Sequence, residues 1–88
     1  MRANTAILRA QILKKLRRRD NWGECHTALD NLPKGLPKHL RGEARDVAED
    51  MIKEGLLISK QTGYGLHVSL NPNKKAEIDQ IIRDVLNE

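Results

Sequence analysis

The sequence predicts a small α+β domain that is mainly helical, and its hydrophobic pattern is the basis for this fold class. Apolar residues recur at helical spacing near residues 5–19, 37–54 and 72–87. They alternate with polar residues between Leu66 and Leu70, as they do in a half-buried β-strand. The two periods meet around Gly55, so a helix is predicted to run directly into a β-hairpin.

The composition limits the chain to one domain with one aliphatic core. With 88 residues, no Phe, one Trp and one Tyr, the core must be built from Leu, Ile and Val side chains. We expect a single domain over residues 1–88, in which residues 1–70 form the core helices and the hairpin and residues 71–88 add a C-terminal helix. Such a core leaves no room for a deep catalytic cavity.

The first helix is predicted from Thr5 to about Arg19. Its apolar residues fall on one stripe, formed by Leu8, Ile12, Leu13 and Leu16. Its other face is basic and carries Arg9, Lys14, Lys15, Arg17, Arg18 and Arg19. Cations in the last turn also suit the negative end of the helix dipole.

A polar break, DNWGECH, follows the first helix and leads into a short extended piece around residues 24–26, which is available as a third strand. Thr27, with Asp30 three residues later, is similar to a capping box and predicts a short second helix through Leu32. Pro33 disfavours helical dihedrals at Leu32, so this helix should last one or two turns before a compact bend.

The third helix is predicted to begin at Pro37, whose missing N–H would have no partner in the first turn. Its apolar residues fall on one arc, formed by Leu40, Ala44, Val47, Ala48 and Met51. Gly55 is expected to end the helix in the left-handed conformation, because glycine has no Cβ to clash there. Leu56 can then fold back onto the last turn.

Two strand-forming segments, LLISKQ and YGLHVSL, predict a hairpin whose reversal is supplied by Thr62, Gly63 and Gly65. A two-stranded hairpin is marginal on its own, so it must pack on the helices. Trp22 is expected to cover the core rather than to recognise a ligand.

Asn71 and Pro72 begin the C-terminal helix. Its apolar stripe consists of Ile78, Ile81, Ile82, Val85 and Leu86. Two interpretations remain open, because the same stripe could pack on the first helix or pair with its copy in a homodimer. A length of about two heptads is short for a coiled coil and favours the first.

The order of these elements resembles the winged helix-turn-helix family, in particular its small stand-alone archaeal members, over about residues 5–70. The residues that carry the resemblance are Leu40, Ala44, Val47 and Met51, followed by KEGLLISKQTGYGLHVSL. The resemblance implies a three-helix core with a two-stranded wing. It also implies duplex DNA binding, with the third helix (about 37–54) in the major groove and the hairpin (about 56–70) on the neighbouring backbone.

For this docking mode, the expected base-reading and phosphate-binding residues lie at the start of the third helix, opposite its apolar arc: Lys38, His39, Arg41 and Arg45. The alternative without a binding role is that Arg41 and Arg45 are solvated and paired with neighbours such as Glu49. On the wing the expected contacts are Lys60, Gln61, Thr62 and Tyr64. The wing tip has no arginine, unlike many DNA-binding members, and Tyr64 could cover the hairpin or stack on a base.

The charge is unevenly distributed along the chain. Residues 1–45 hold eleven Lys and Arg against four Asp and Glu, whereas residues 46–88 hold five against eight. This asymmetry favours one face that binds a polyanion. Within the basic run KKLRRR, Arg17, Arg18 and Arg19 are predicted either to make auxiliary phosphate contacts or simply to aid solubility.

Other function classes are disfavoured. A single cysteine, Cys25, excludes an internal disulfide, and its neighbour His26 is badly placed to bind the same metal ion, so we expect no metal and no cofactor. The sequence contains no phosphate-binding glycine motif and no carboxylate pair suited to catalysis, so no enzymatic activity is expected. It shows no signal-peptide core and no membrane span, so we expect a cytoplasmic protein.

The sequence therefore predicts a small DNA-binding transcriptional regulator or chromatin-associated protein. Two alternatives remain: a winged-helix module that binds a protein partner, and a module that binds structured RNA or a ribonucleoprotein.

Overall fold

The computed structural model of the protein describes residues 3–87, with side chains from Thr5 onward. The fold is α+β and mainly helical. Its three α-helices are α1 (Ala3–Arg18), α2 (Ala44–Lys53) and α3 (Lys75–Leu86). Its three strands, β1 (Thr27–Ala28), β2 (Leu57–Thr62) and β3 (Gly65–Leu70), form an antiparallel sheet in the order β1-β3-β2. None of the helices between Ala3 and Leu86 is long and apolar enough to cross a membrane.

The stripe predicted for the first helix is confirmed. Leu8, Ile12, Leu13 and Leu16 are all buried in the core. Helix α1 begins at Ala3, two residues earlier than predicted. The basic residues of the opposite face do not form one continuous solvated surface, because several of them contact other elements.

The predicted second helix is present only as a single 3₁₀ turn, and the Thr27 cap predicted for it is wrong. Thr27 does not cap a helix but begins strand β1, where it pairs with Val68 of β3, and only a 3₁₀ turn over Leu29–Asn31 follows. The Thr27 hydroxyl accepts a hydrogen bond from the Asn31 side chain. Pairing with β3 draws Thr27 into the sheet, and Pro33 prevents the short turn from growing into an α-helix. The third strand is therefore real, but it lies at residues 27–28 instead of 24–26.

The predicted third helix is divided in two. A 3₁₀ segment occupies Lys38–Glu43, with Pro37 as its N-cap residue, and α2 begins only at Ala44. Gly42 near the change weakens the preference for an α-helix over this stretch. The apolar arc is nevertheless buried as predicted, from Leu40 to Met51.

The junction between α2 and the hairpin is as tight as the sequence predicts. Gly55 has φ +84°, the N–H of Leu56 donates to Met51 O, and the N–H of Gly55 donates to Ile52 O. These two bonds form a Schellman motif. Asn71, at the far end of β3, adds two more bonds: its side-chain amide donates to Gly55 O at 2.8 Å and its N–H donates to Leu56 O.

The C-terminal helix packs back on α1, as the first interpretation expects. Ile78 and Ile82 are buried in the same cluster as the α1 stripe, and Arg17 reaches across to Asp79 at 3.1 Å. Hydrogen bonds from Lys75 and Arg17 lower the pKa of Asp79. Trp22 packs against the core with the Lys75 ammonium 5.9 Å above its ring, in the covering role predicted for it.

Candidate nucleic-acid interface

The cations predicted to read DNA lie on the 3₁₀ segment that precedes α2. Lys38, His39 and Arg41 are all exposed. In a 3₁₀ helix, residues three apart lie directly above one another, so the side chains of Lys38 and Arg41 start from the same edge of the segment. The α-helix that the sequence predicts here would have set these two residues about 60° apart.

Arg41 also has a structural role. Its Nε donates to Leu36 O at 3.1 Å, so the guanidinium is anchored to the bend that precedes the 3₁₀ segment. This bond uses one of the five N–H donors of the side chain. The remaining donors belong to a side chain whose direction is already fixed, which reduces the entropy lost when it binds a ligand.

Arg45 is held between two carboxylates. Its Nη1 lies 3.2 Å from Asp30 Oδ1, and its Nε lies 3.4 Å from Glu49 Oε2. The sequence predicts the pairing with Glu49 as the alternative without a binding role, and the structure adds Asp30 of the 3₁₀ turn as a second partner. Its side chain is 58% exposed, so the ion pairs are weak and solvent-screened. Arg45 must exchange at least one of them to contact a phosphate or a base.

The tip of the hairpin presents Tyr64 to solvent. The Thr62 hydroxyl donates to Gly65 O at 2.8 Å and accepts from Tyr64 N at 3.0 Å, which closes the turn. Thr62 is therefore committed to the turn. Tyr64 is 96% exposed and does not cover the hairpin, while Lys60 and Gln61 are exposed along the edge strand β2.

The basic side chains of α1 contact several different partners. Arg9 forms an ion pair with Glu54 at the end of α2, with its Nη1 2.7 Å from Oε1, and Arg17 pairs with Asp79 of α3. These two residues tie α1 to its neighbouring helices. Of the three predicted auxiliary cations, Arg18 and Arg19 are exposed, whereas Arg17 is half-buried against α3.

Lys15 has a role that its position in the basic run KKLRRR does not predict. Its ammonium donates to three backbone carbonyls of the bend after the 3₁₀ turn, those of Asn31 at 2.8 Å, Leu32 at 3.3 Å and Lys34. Burial lowers the pKa of Lys15, and the nearby charges of Arg19 and Lys34 lower it further. The spacing of the α1 stripe places Lys15 beside the apolar face, but only the tertiary fold brings the carbonyls to it.

This contact brings together two segments that contain no acidic residue. Residues 3–19 and 34–41 contain nine Lys and Arg and neither Asp nor Glu. Between them lies a cleft of about 160 Å³, lined by Gln11, Lys14, Lys15, Arg18, Gly35 and Leu36. Leu36 also carries the carbonyl that holds Arg41, which links the cleft to the 3₁₀ segment.

A second pair of residues is brought together on the outer face of the sheet. The Nδ1 atoms of His26 and His67 lie 2.8 Å apart, with the rings edge to face. One nitrogen must donate and the other accept, so the contact joins the loop before β1 to strand β3. Because 41 residues separate the two histidines, no local spacing could have predicted the contact.

Metal chemistry gains no further support from this pair, because the part of the chain that the structure describes contains no group of three His, Cys, Asp or Glu side chains that could hold an ion. Cys25, beside His26, is exposed.

Comparison with known proteins adds no relative: no protein-family model, curated protein or solved structure matches the chain. The interpretation of the site therefore depends on its own chemistry.

Proposed function

We propose that this chain is a winged-helix nucleic-acid-binding module that binds duplex DNA and acts as a small transcriptional regulator or chromatin-associated protein. The observation that carries the proposal is the cleft in which Lys14, Lys15 and Arg18 of α1 face the bend at Gly35 and Leu36, with no acidic residue in its lining. A polyanion is attracted most strongly where cations from separate segments converge without intervening carboxylates.

In the proposed complex, the 3₁₀ segment Lys38–Glu43 enters the major groove. Lys38 and Arg41, aligned on one edge, are the primary contacts, and His39 lies between them. Arg41 can donate two hydrogen bonds to a guanine edge, and Lys38 can bind a phosphate. Asp46, Glu49 and Asp50 are exposed along α2, so the carboxyl end of this helix points away from the duplex.

The wing supplies the second contact. Lys60 can bind a backbone phosphate, and Tyr64 projects far enough from the turn to pack on a sugar or a base. The Schellman motif at Gly55 and the two Asn71 bonds fix the angle between α2 and the hairpin. Both contacts are therefore prepared in the free protein, and binding loses little conformational entropy.

A salt titration tests the proposal. Affinity for random duplex DNA and for a structured RNA of equal charge is measured by fluorescence anisotropy between low and physiological salt. For duplex DNA, log K should fall against log salt with a slope of about −0.9 for each phosphate neutralised. The affinity for DNA should exceed that for RNA. Absence of DNA binding at low salt would contradict the proposal, and stronger binding to RNA would favour the ribonucleoprotein alternative.

A matched pair of variants locates the contact. The double variant Lys38→Ala/Arg41→Ala and its control Lys53→Ala/Arg83→Ala both remove one Lys and one Arg from exposed positions. The first should weaken DNA binding at least tenfold, an effect of about 1.4 kcal/mol. The control should retain most of the affinity. Equal losses in the two variants would mean that only net charge matters.

A protein partner is the second candidate function, and the exposure of Tyr64 and Ile58 favours it. Tyr64 is 96% and Ile58 40% exposed, and both belong to the hairpin. Strand β2 pairs only with β3 among the described strands, so its other edge is open to a strand from a partner. This hypothesis becomes the better one if the salt titration detects no nucleic-acid binding.

A further inference from the structure

One face of α1 is built as a wall of the basic cleft. Gln11, Lys14, Lys15 and Arg18 are spaced i, i+3, i+4 and i+7, so they follow one another along a single helical face. All four line the cleft, and the opposite wall is the bend at Gly35 and Leu36. Three of the six lining residues are cations, and none is acidic.

Lys15 fixes the distance between the two walls. An ammonium has three N–H donors, and here they point to the carbonyls of Asn31, Leu32 and Lys34. Lys15 therefore supplies positive charge at the base of the cleft while its donors hold the bend in place. Its charge also offsets the partial negative charge of these carbonyls, which would otherwise repel an anion.

Gly35 gives the second wall a left-handed backbone turn. Its φ of +86° lies in the left-handed region, where a side chain is strained, and a Cβ there would lie 3.9 Å from the Lys15 ammonium. The bare backbone lets a ligand approach the bend closely. The cleft volume of about 160 Å³ corresponds to about five water molecules. That space is large enough for one phosphoryl group, and the open side of the cleft leaves room for the rest of a larger ligand.

We propose that this cleft is a phosphate-binding site, in which Gln11, Lys14 and Arg18 donate hydrogen bonds from the α1 wall and Lys15 contributes its charge. This inference rests on the proposed function, and the ligand it assigns is one backbone phosphate of the bound nucleic acid. The connection to the groove contact is Leu36, which lines the cleft and holds Arg41 through its carbonyl. A phosphate in the cleft therefore sets the register of the 3₁₀ segment on the duplex.

The first experiment tests the cleft without nucleic acid. The full chain is titrated with inorganic pyrophosphate at low ionic strength, and backbone amide shifts are followed by NMR. Saturating shifts are expected at Gly35 and Gln11. Arg18→Gln should weaken this binding about tenfold, as expected for the loss of a charge-assisted bond.

The control variant is Arg83→Gln, which makes the same change at an exposed helical arginine outside the cleft lining. It should bind pyrophosphate like the wild type. Lys14→Gln provides a second test of the same wall and should behave like Arg18→Gln. Shifts that grow linearly, or that fall equally in all three variants, would show only diffuse ion attraction and overturn the site.

The second experiment separates this inference from the proposed function. Arg18→Gln should reduce the magnitude of the salt slope for duplex DNA by about 0.9, the value for one phosphate, whereas Arg83→Gln should leave it unchanged. If the wild type binds DNA and the two variants have the same slope, the site is refuted and the proposed function stands. If pyrophosphate saturates the cleft but no nucleic acid binds, the function fails and the backbone phosphate is excluded as the ligand.

Discussion

Replacing Lys15 by Met tests whether this lysine holds the bend against α1. Met is one heavy atom shorter than Lys and keeps most of its apolar stem, but it has no donor for the carbonyls of Asn31, Leu32 and Lys34. A hydrogen bond from a charged donor contributes about 1.5–3 kcal/mol when its partner is left unsatisfied. Three such bonds set an upper limit of roughly 4.5–9 kcal/mol for the loss.

The actual loss should be much smaller than this limit. The cleft is open to solvent, so water can hydrate the freed carbonyls. The substitution also removes the partial burial of a charge and its repulsion from Arg19 and Lys34, the same effects that lower the pKa of Lys15. We therefore expect a net destabilisation of about 2 kcal/mol, which for a domain of this size lowers Tm by about 8–16 °C.

The assay is thermal and urea unfolding followed by circular dichroism at neutral pH, with Lys34→Met as the control. Lys34 is exposed and its positive charge repels that of Lys15, so its removal should leave stability unchanged or slightly higher. Lys15→Met should lower the unfolding midpoint with little change in the urea m-value. If the two variants are equally stable, Lys15 does not hold the bend, and the fixed cleft loses its physical basis.

Three further results are expected. Hydrogen bonds to two cations lower the pKa of Asp79, so its contribution to stability is present above about pH 4 and is lost as the pH falls through the folded-state value. In urea unfolding between pH 5 and pH 2, the free energy of unfolding of an Asp79→Asn variant should therefore fall less steeply with pH than that of the wild type. Equal slopes would refute this. Tyr64→Ala should leave Tm unchanged because the ring is 96% exposed, while DNA affinity falls by about 1 kcal/mol if the ring stacks on a base. At pH 8, nitrogen-15 NMR of the imidazoles should find hydrogen on one Nδ1 of the His26–His67 pair, and two bare or two protonated Nδ1 atoms would contradict the 2.8 Å contact.

The sequence determined the features that depend on neighbouring residues. The apolar stripe of α1 is set by a period of a few residues and is found as predicted. Strand β3 also forms where its sequence predicts it, but its burial does not alternate, because Ser69 is buried and its hydroxyl donates to Gly23 O. Gly55 ends α2 because the left-handed conformation is a local property of the backbone. The class of the fold and the direct junction between helix and hairpin could therefore be predicted from local patterns.

The tertiary structure decided which local preferences prevailed. Thr27 has the pattern of a helix cap, yet pairing with Val68 draws it into the sheet, because a ladder partner distant in the sequence outweighs a weak local preference. The segment Lys38–Glu43 becomes a 3₁₀ helix, and this changes which basic side chains share an edge.

The roles of the charged residues depended most strongly on the tertiary fold. Lys15, Arg17 and Arg45 appear in the sequence as similar cations, but their partners differ. Lys15 contacts carbonyls of the bend, Arg17 contacts Asp79 of α3, and Arg45 contacts Asp30 and Glu49. Long, flexible side chains can reach many alternative partners, so helical spacing fixes the face from which each cation starts and not the group it meets. The physical reason is distance. Hydrophobic periods and the Arg45–Glu49 pair act within a few helical turns, whereas the partners that the sequence did not predict, such as Asp30 for Arg45 and Asp79 for Arg17, come from segments 15 and 62 residues away.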